Sequence, residues 1–272
     1  MQVLAGINGT IAAESAAIYA MVYAKAQEYT LVLFHMPNAK DNREDVASSM
    51  KRLETLASAQ EVALEQIFFE NGSFKQLRKY LHRNYVDIVF CATRKARSFI
   101  NRSFGKKLLS LQTGLDVAVV RVVRVTEVRD VATMMLSIKE DRLGVKKFTF
   151  FSMLASAFEA DAQLYSISNV SKRKLALLSF ASIKEKLSQI NHSLRHYLKL
   201  SAFMPYNLVI KHDFSEDEVE SILYNIATTR TDLVVVGAKR LQWRWFFFKE
   251  APLEKLMRET SANLIALYTQ EN

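Results

Sequence analysis

The sequence predicts an α/β protein built twice over: two tandem doubly wound domains with open parallel sheets, residues 1–127 and 128–272. Three observations predict it. The stretch Asp87–Val122 reads as a buried strand (Asp87–Cys91), a basic loop, a helix beginning near Gly105 and a second buried strand (Val117–Val122), which is one βαβ unit. The same order returns at Asp232–Leu267, and laying Asp87 on Asp232 brings strands and loops into step without a gap. In both halves, short apolar runs alternate with segments of helical period, and the runs are apolar enough to suggest strands with no wet face.

Taken in order, Val3–Ile7 is a short apolar strand ending in Asn-Gly-Thr, a turn signal. Ala12–Glu28 has helical spacing, Leu31–His35 is the second strand, and a polar helix spans about Asp41 to Ala59. Asp41, Glu44 and Asp45 head that helix, where acidic residues complement its dipole. Ala63–Phe69 reads as the third strand, and Ser73–Asn84 as a basic amphipathic helix leading into the βαβ unit. The polar run Arg124–Asp130 separates the halves. The second half repeats the plan: strand Thr133–Ile138, helix Gly144–Ala160, strand Gln163–Ile167, one long helix Lys172–Lys199 and strand Asn207–Lys211. A helix over Ser215–Thr229 follows, with Ser215 and Glu218 spaced as a capping box, and the last strands are Asp232–Val236 and Asn263–Tyr268.

Composition bounds what such a chain can do. Half of its 272 residues are hydrophobic, enough for two cores of ordinary size, and three prolines with seven glycines argue against disorder. The single cysteine, Cys91, falls in a buried strand, which excludes a disulfide framework and fits a reducing cytoplasm. No signal-peptide pattern opens the chain, and no apolar run approaches the roughly 18 to 20 residues of a membrane span. The net charge of +9, shared between the halves, admits nucleic acid, anionic lipid, a phosphorylated small molecule or an acidic protein as partner.

Both copies of the βαβ unit resemble the last third of a universal stress protein domain. Nucleotide-binding members of that family carry Gly-x2-Gly-x9-Gly-Ser/Thr between the fourth and fifth strands, where backbone amides and a hydroxyl hold ATP phosphates. Those positions fall on Ala92, Lys95, Gly105 and Lys106 in the first copy, and on Gly237, Arg240, Glu250 and Ala251 in the second. The family's acidic residue at the end of the first strand falls on Asn8, and on Lys139 or its neighbour in the second copy. The spacing is kept and the chemistry is not, so neither copy carries an intact ATP motif. The resemblance implies the adenine-nucleotide alpha hydrolase-like fold, with the two domains packed as an internal pseudo-dimer.

Two loops stand out as candidate sites. The first-half loop leaves a strand end and enters a helix amino terminus carrying Arg94, Lys95, Arg97, Arg102, Lys106 and Lys107, so charge and free amides both attract phosphate. With Asn8, Ala92, Thr93 and Gly105 it makes a candidate site for an adenine nucleotide, a cyclic dinucleotide or another phosphorylated ligand; a solvated basic loop is the alternative. The second-half loop holds Lys239, Arg240, Trp243, Arg244, Trp245, Phe246, Phe247 and Phe248. Exposed, it is a docking surface for a protein or a membrane partner; otherwise it folds over the vacated pocket or into the seam between the halves.

Enzyme and metal signatures are missing. His192 and His196 lie four apart without the glutamate of a zinc motif or a nearby cysteine, and His212-Asp213 has no nucleophile context. No GxGxxG and no intact P-loop occurs, and nucleic-acid binding rests on charge alone. The sequence therefore predicts a non-catalytic cytoplasmic regulatory or stress-response module that senses a ligand or docks a partner. The resemblance extends this to the cytosolic tail of a cation/proton antiporter, to homodimers, and to a nucleotide-binding stress protein with slow ATP hydrolysis.

Overall fold

Strand β1 (Gln2–Gly6) is hydrogen-bonded in parallel to β2 (Thr30–His35) on one side and to β4 (Val86–Thr93) on the other. The computed structural model describes residues 1–38, 41–70, 73–93, 104–111, 114–125, 131–139, 143–238 and 251–269, with the side chains of Lys172 and Leu175 excepted. Strands β3 (Leu64–Phe68) and β5 (Asp116–Arg121) complete a parallel first half in the order β3-β2-β1-β4-β5. The second half repeats it with β6 (Thr133–Lys139), β7 (Asp161–Asn169), β8 (Leu208–Ser215), β9 (Leu233–Ala238) and β10 (Asn263–Tyr268). Strands β5 and β10 pair antiparallel, so one continuous ten-stranded sheet runs from β3 to β8. Residues 126–130, where the boundary between the two domains was expected, lie outside the described residues.

The strand registers expose an internal two-fold axis. Val89 faces Val117 in the first half, and its counterpart Val234 faces Leu264 in the second. That makes Ala266 the counterpart of Val119, and these two residues face each other across the antiparallel seam. The overlay expected to be gapless therefore slips by two residues at the last strand, because the second connection is longer. The pseudo-dimer is present within one chain.

Helices cover both faces. On one lie α1 (Ile11–Ala26), α2 (Arg43–Ala59), α5 (Val145–Phe158) and α7 (Phe180–Ser201); on the other lie α3 (Phe74–Arg83), α4 (Phe104–Ser110), α8 (Glu218–Thr229) and α9 (Pro252–Glu259). Their apolar stripes bury the alternating side chains of the central strands, Ile88 and Phe90 toward α1, Val89 and Cys91 toward α4. At the seam, α1 meets α5 through Tyr23 and Phe150 (ring centroids 5.2 Å apart) and Tyr19 and Phe158 (6.1 Å). An ion pair from Lys146 to Asp116, at 3.4 Å, also crosses it.

Several local expectations are corrected. The long helix Lys172–Lys199 is two helices, α6 (Lys172–Leu177) and α7, because the Ser179 hydroxyl accepts from the Ser182 amide at 3.1 Å and starts a new helix. Helix α8 is capped by Asp217, whose carboxylate accepts from the Val219 and Glu220 amides; Ser215 lies outside, bonded to the Asp217 amide. The strands are not all dry: β3 and β8 are the two edges, and Glu65, Gln66 and Phe68 of β3 are exposed.

Candidate functional site

The polypeptide leaves the carboxyl ends of β1, β2 and β4 beside one another and beside the amino end of α4, and a cavity of about 320 Å³ opens there. Its wall at the end of β1 is Gly6. A Cβ at that position would come within 3.2 Å of the Phe34 ring and 3.6 Å of Phe104, so glycine lets the rings close on the strand. Phe104 packs on Phe34 (6.0 Å between centroids) and on Phe74 (5.3 Å), giving the cavity an aromatic side. Lys107, one turn into α4, sits with its ammonium 5.5 Å from the Phe74 ring centre.

The polar residues are held by short local bonds. Asn8 Oδ1 accepts from the Thr10 hydroxyl at 2.7 Å, and Thr10 caps α1 by accepting from the Ala13 amide. Gly9 between them has φ of +77°, and α2 passes so close that a Cβ there would meet Asp45 Cβ at 2.8 Å. His35 Nδ1 lies 2.8 Å from the Ile7 carbonyl; a carbonyl only accepts, so Nδ1 carries the hydrogen. Cys91 also lines the cavity, and burial pushes its thiol up to about 12, which keeps it neutral and unreactive at physiological pH.

Of the residues singled out in the sequence, Asn8, Ala92 and Lys107 line this cavity. Thr93, the last residue of β4, is buried beside it, and Lys106 is half-buried in the first turn of α4. Gly105 is buried where a Cβ would meet Val119 at 3.4 Å and Cys91 Sγ at 3.5 Å, so it serves the packing of α4 on the sheet. Lys95, Arg94, Arg97 and Arg102 lie outside the described residues, as do Lys239, Arg240, Trp243, Arg244, Trp245, Phe246, Phe247 and Phe248. The sequence did not single out Phe34, Phe74 or Phe104, and Asp41 was read only as a helix-dipole residue. Among the described residues no group of three metal-ligating side chains occurs, and His192 and His196 are exposed on α7.

The second half has rebuilt the same place. The registers carry Asn8 onto Lys139 and Phe34 onto Tyr165. Burial likewise matches Leu108 and Leu109 with Leu256 and Met257, which puts Lys255 in the place of Lys107. Lys255 pairs with Asp217 of α8 at 3.2 Å, and the Lys147 chain lies where a Cβ on Gly237 would point, 2.8 Å away. Ala251, expected at a phosphate-binding position, is the residue before α9, and Glu250 is outside the described residues.

No protein-family model matches the chain, and neither does the sequence of any curated protein. Solved structures do match it. A universal stress protein from Archaeoglobus fulgidus DSM 4304 superposes with a TM-score of 0.59 at 8% identity, covering 100% of this chain and 98% of that one. The fold is that of the universal stress proteins. The cytoplasmic domain of a prokaryotic cation chloride cotransporter also superposes, with a TM-score of 0.59 at 9% identity over 100% of this chain and 97% of that one. At these identities the likeness concerns architecture, and the universal stress protein fold places the cavity of the first half outside the carboxyl ends of the strands.

Proposed function

We propose that the chain is a non-catalytic regulatory module in which the first half senses a small ligand and the second half, whose matching lysine is paired with Asp217, contributes architecture and docking. The observation that carries this reading is the asymmetry between halves. The same lysine position faces an aromatic ring and a cavity in one copy (Lys107) and an aspartate in the other (Lys255). A cavity in one half, joined through a shared sheet to a half whose matching lysine is paired, suits sensing better than turnover, and the described residues lining the cavity include no nucleophile–base pair.

The cotransporter domain of the same fold supports a cytoplasmic role close to a membrane transporter, such as the tail of a cation/proton antiporter. No helix of the described residues is long and apolar enough to cross a membrane, so in this reading the membrane part is a partner or a separate segment. The loop with Trp243 to Phe248 is then the docking surface, for a protein or membrane partner or for a second copy of the chain. A nucleotide-binding stress protein is the second reading, favoured by the cavity including Asn8 and Ala92 of the nucleotide-site pattern.

The test is a thermal-shift and calorimetric screen of the intact chain against small metabolites, with ATP, AMP and cyclic dinucleotides included. A dose-dependent rise in Tm that disappears in Ala92→Phe, which fills the cavity, is the expected result. A rise that survives in Ala92→Phe would move the site elsewhere.

A further inference from the structure

We propose that the first-half cavity takes a small aromatic zwitterion, a molecule of the α-amino acid class with a flat ring. This rests on the reading that the cavity senses a ligand, and adds what kind. One side of the cavity is a run of three rings, Phe34, Phe104 and Phe74, with centroids 6.0 and 5.3 Å apart, which suits a flat apolar group by offset or edge packing. Two opposite charges complete it: Asp41, from the connection after β2, and Lys107, from α4. They are not paired with each other, and among the described residues neither has an ion-pair partner.

Among the described residues, the cavity carries one carboxylate and one ammonium without an ion-pair partner, a pair complementary to a ligand carrying one charge of each sign. A polyphosphate brings several negative charges toward Asp41, which disfavours it relative to a ligand that also carries a cation. Size agrees: about 320 Å³ lies at the low end of the roughly 300 to 1,000 Å³ range of small-molecule pockets, room for a ring and a short polar backbone. Asn38 on the same wall adds a neutral hydrogen-bonding group. The halves differ here too, since the lysine matching Lys107 is already neutralised by Asp217.

The experiment titrates the intact chain with L-phenylalanine, L-tyrosine and L-tryptophan, and with phenethylamine (no carboxylate), 3-phenylpropionate (no ammonium), AMP and ATP. Lys107→Ala and Asp41→Asn are run alongside, with circular dichroism to show that they fold. At least one amino acid should bind about tenfold or more tightly than either truncated analogue. Lys107→Ala should erase the advantage over phenethylamine, and Asp41→Asn the advantage over 3-phenylpropionate. If AMP or ATP binds and no amino acid does, ligand sensing stands and the zwitterion is wrong. If nothing binds, both fail. Amino acid binding that neither variant weakens would also overturn the assignment.

Discussion

Asn263 Nδ2 donates a hydrogen bond of 2.8 Å to the Tyr19 hydroxyl, joining the start of the last strand to the first helix across the seam of the two halves. The same side chain donates to the Arg124 carbonyl at 3.0 Å, and its Oδ1 accepts from the Val123 and Arg124 amides at 2.7 and 2.9 Å. Asn263 is 4% exposed and Tyr19 is fully buried. One amide thus holds the exit from β5, the start of β10 and α1 together. Asn263→Ala leaves two backbone amides, a backbone carbonyl and a hydroxyl without these partners, and should lower the unfolding free energy by about 2 to 4 kcal/mol, against about 1 kcal/mol for Tyr19→Phe. Urea unfolding checks this. Equal effects of the two variants would mean that the backbone finds other partners.

This seam was not legible in the sequence, whereas the elements on either side of it were. The β10 limits follow from an unbroken apolar run bounded by polar residues, and the fold class from alternation of period. What failed depended on tertiary context or on competing local bonds. Ser179 and Asp217 start helices because their side chains reach amides two or three residues on, and a capping-box spacing at Ser215 cannot show which oxygen makes that bond. The two-residue slip at β10 is set by pairing with β9 and β5, not by local pattern. In the site, Asn8 and Ala92 were found through motif spacing, and Lys107 through the positive charge of its loop. Phe34, Phe74 and Phe104 were missed because three phenylalanines far apart in sequence read as ordinary core until the sheet order brings them together.

Two glycines that look alike in sequence should respond differently to an added methyl group. At Gly9, φ is +77°, and the neighbours of a new Cβ would be Asp45 Cβ at 2.8 Å and the Val46 backbone nitrogen at 2.9 Å, neither free to move. Gly9→Ala should therefore cost on the order of 2 kcal/mol or more. At Gly237 the obstruction is the flexible end of Lys147, which can swing away. Gly237→Ala should change stability by less than about 0.5 kcal/mol. Thermal melts of both variants decide the point, and a large loss at Gly237 would show that Lys147 is held in place.

Glu28 and Glu159 occupy matching positions after α1 and α5, and both adopt the left-handed conformation, with φ of 55° and 53°. The strain belongs to the helix-ending turn, repeated in each half where glycine would sit more easily. Glu159→Gly should stabilise by about 0.5 kcal/mol, the relief of strain outweighing the added freedom of the unfolded chain, and the double variant with Glu28→Gly should be additive. A loss of stability would show that the glutamate side chains make contacts that offset the strain.

Alkaline pH should weaken the fold through its buried acids, Cys91 and Tyr268 among them. Burial pushes the Cys91 thiol from 9.0 up to about 12, and burial, then the neighbouring Cys91 and Glu254 charges, pushes the Tyr268 hydroxyl from 10.0 up to about 12. Both groups are neutral when protonated, so the folded state holds these protons more tightly than the unfolded state. Their contribution is fully present below the unfolded values and is lost as pH rises from about 9 toward 12, where the folded state begins to ionise as well. Unfolding free energy measured by urea should accordingly be flat near neutrality with respect to these groups and fall steadily above pH 9. Cys91→Ala removes one of these titrations and should make the fall shallower, whatever it does to stability at neutral pH. In the parent chain, thiol alkylation at neutral pH should proceed only as fast as the molecule opens. Rapid labelling of the folded protein would show that Cys91 is reached through the cavity and that its thiol is less shielded than its burial indicates.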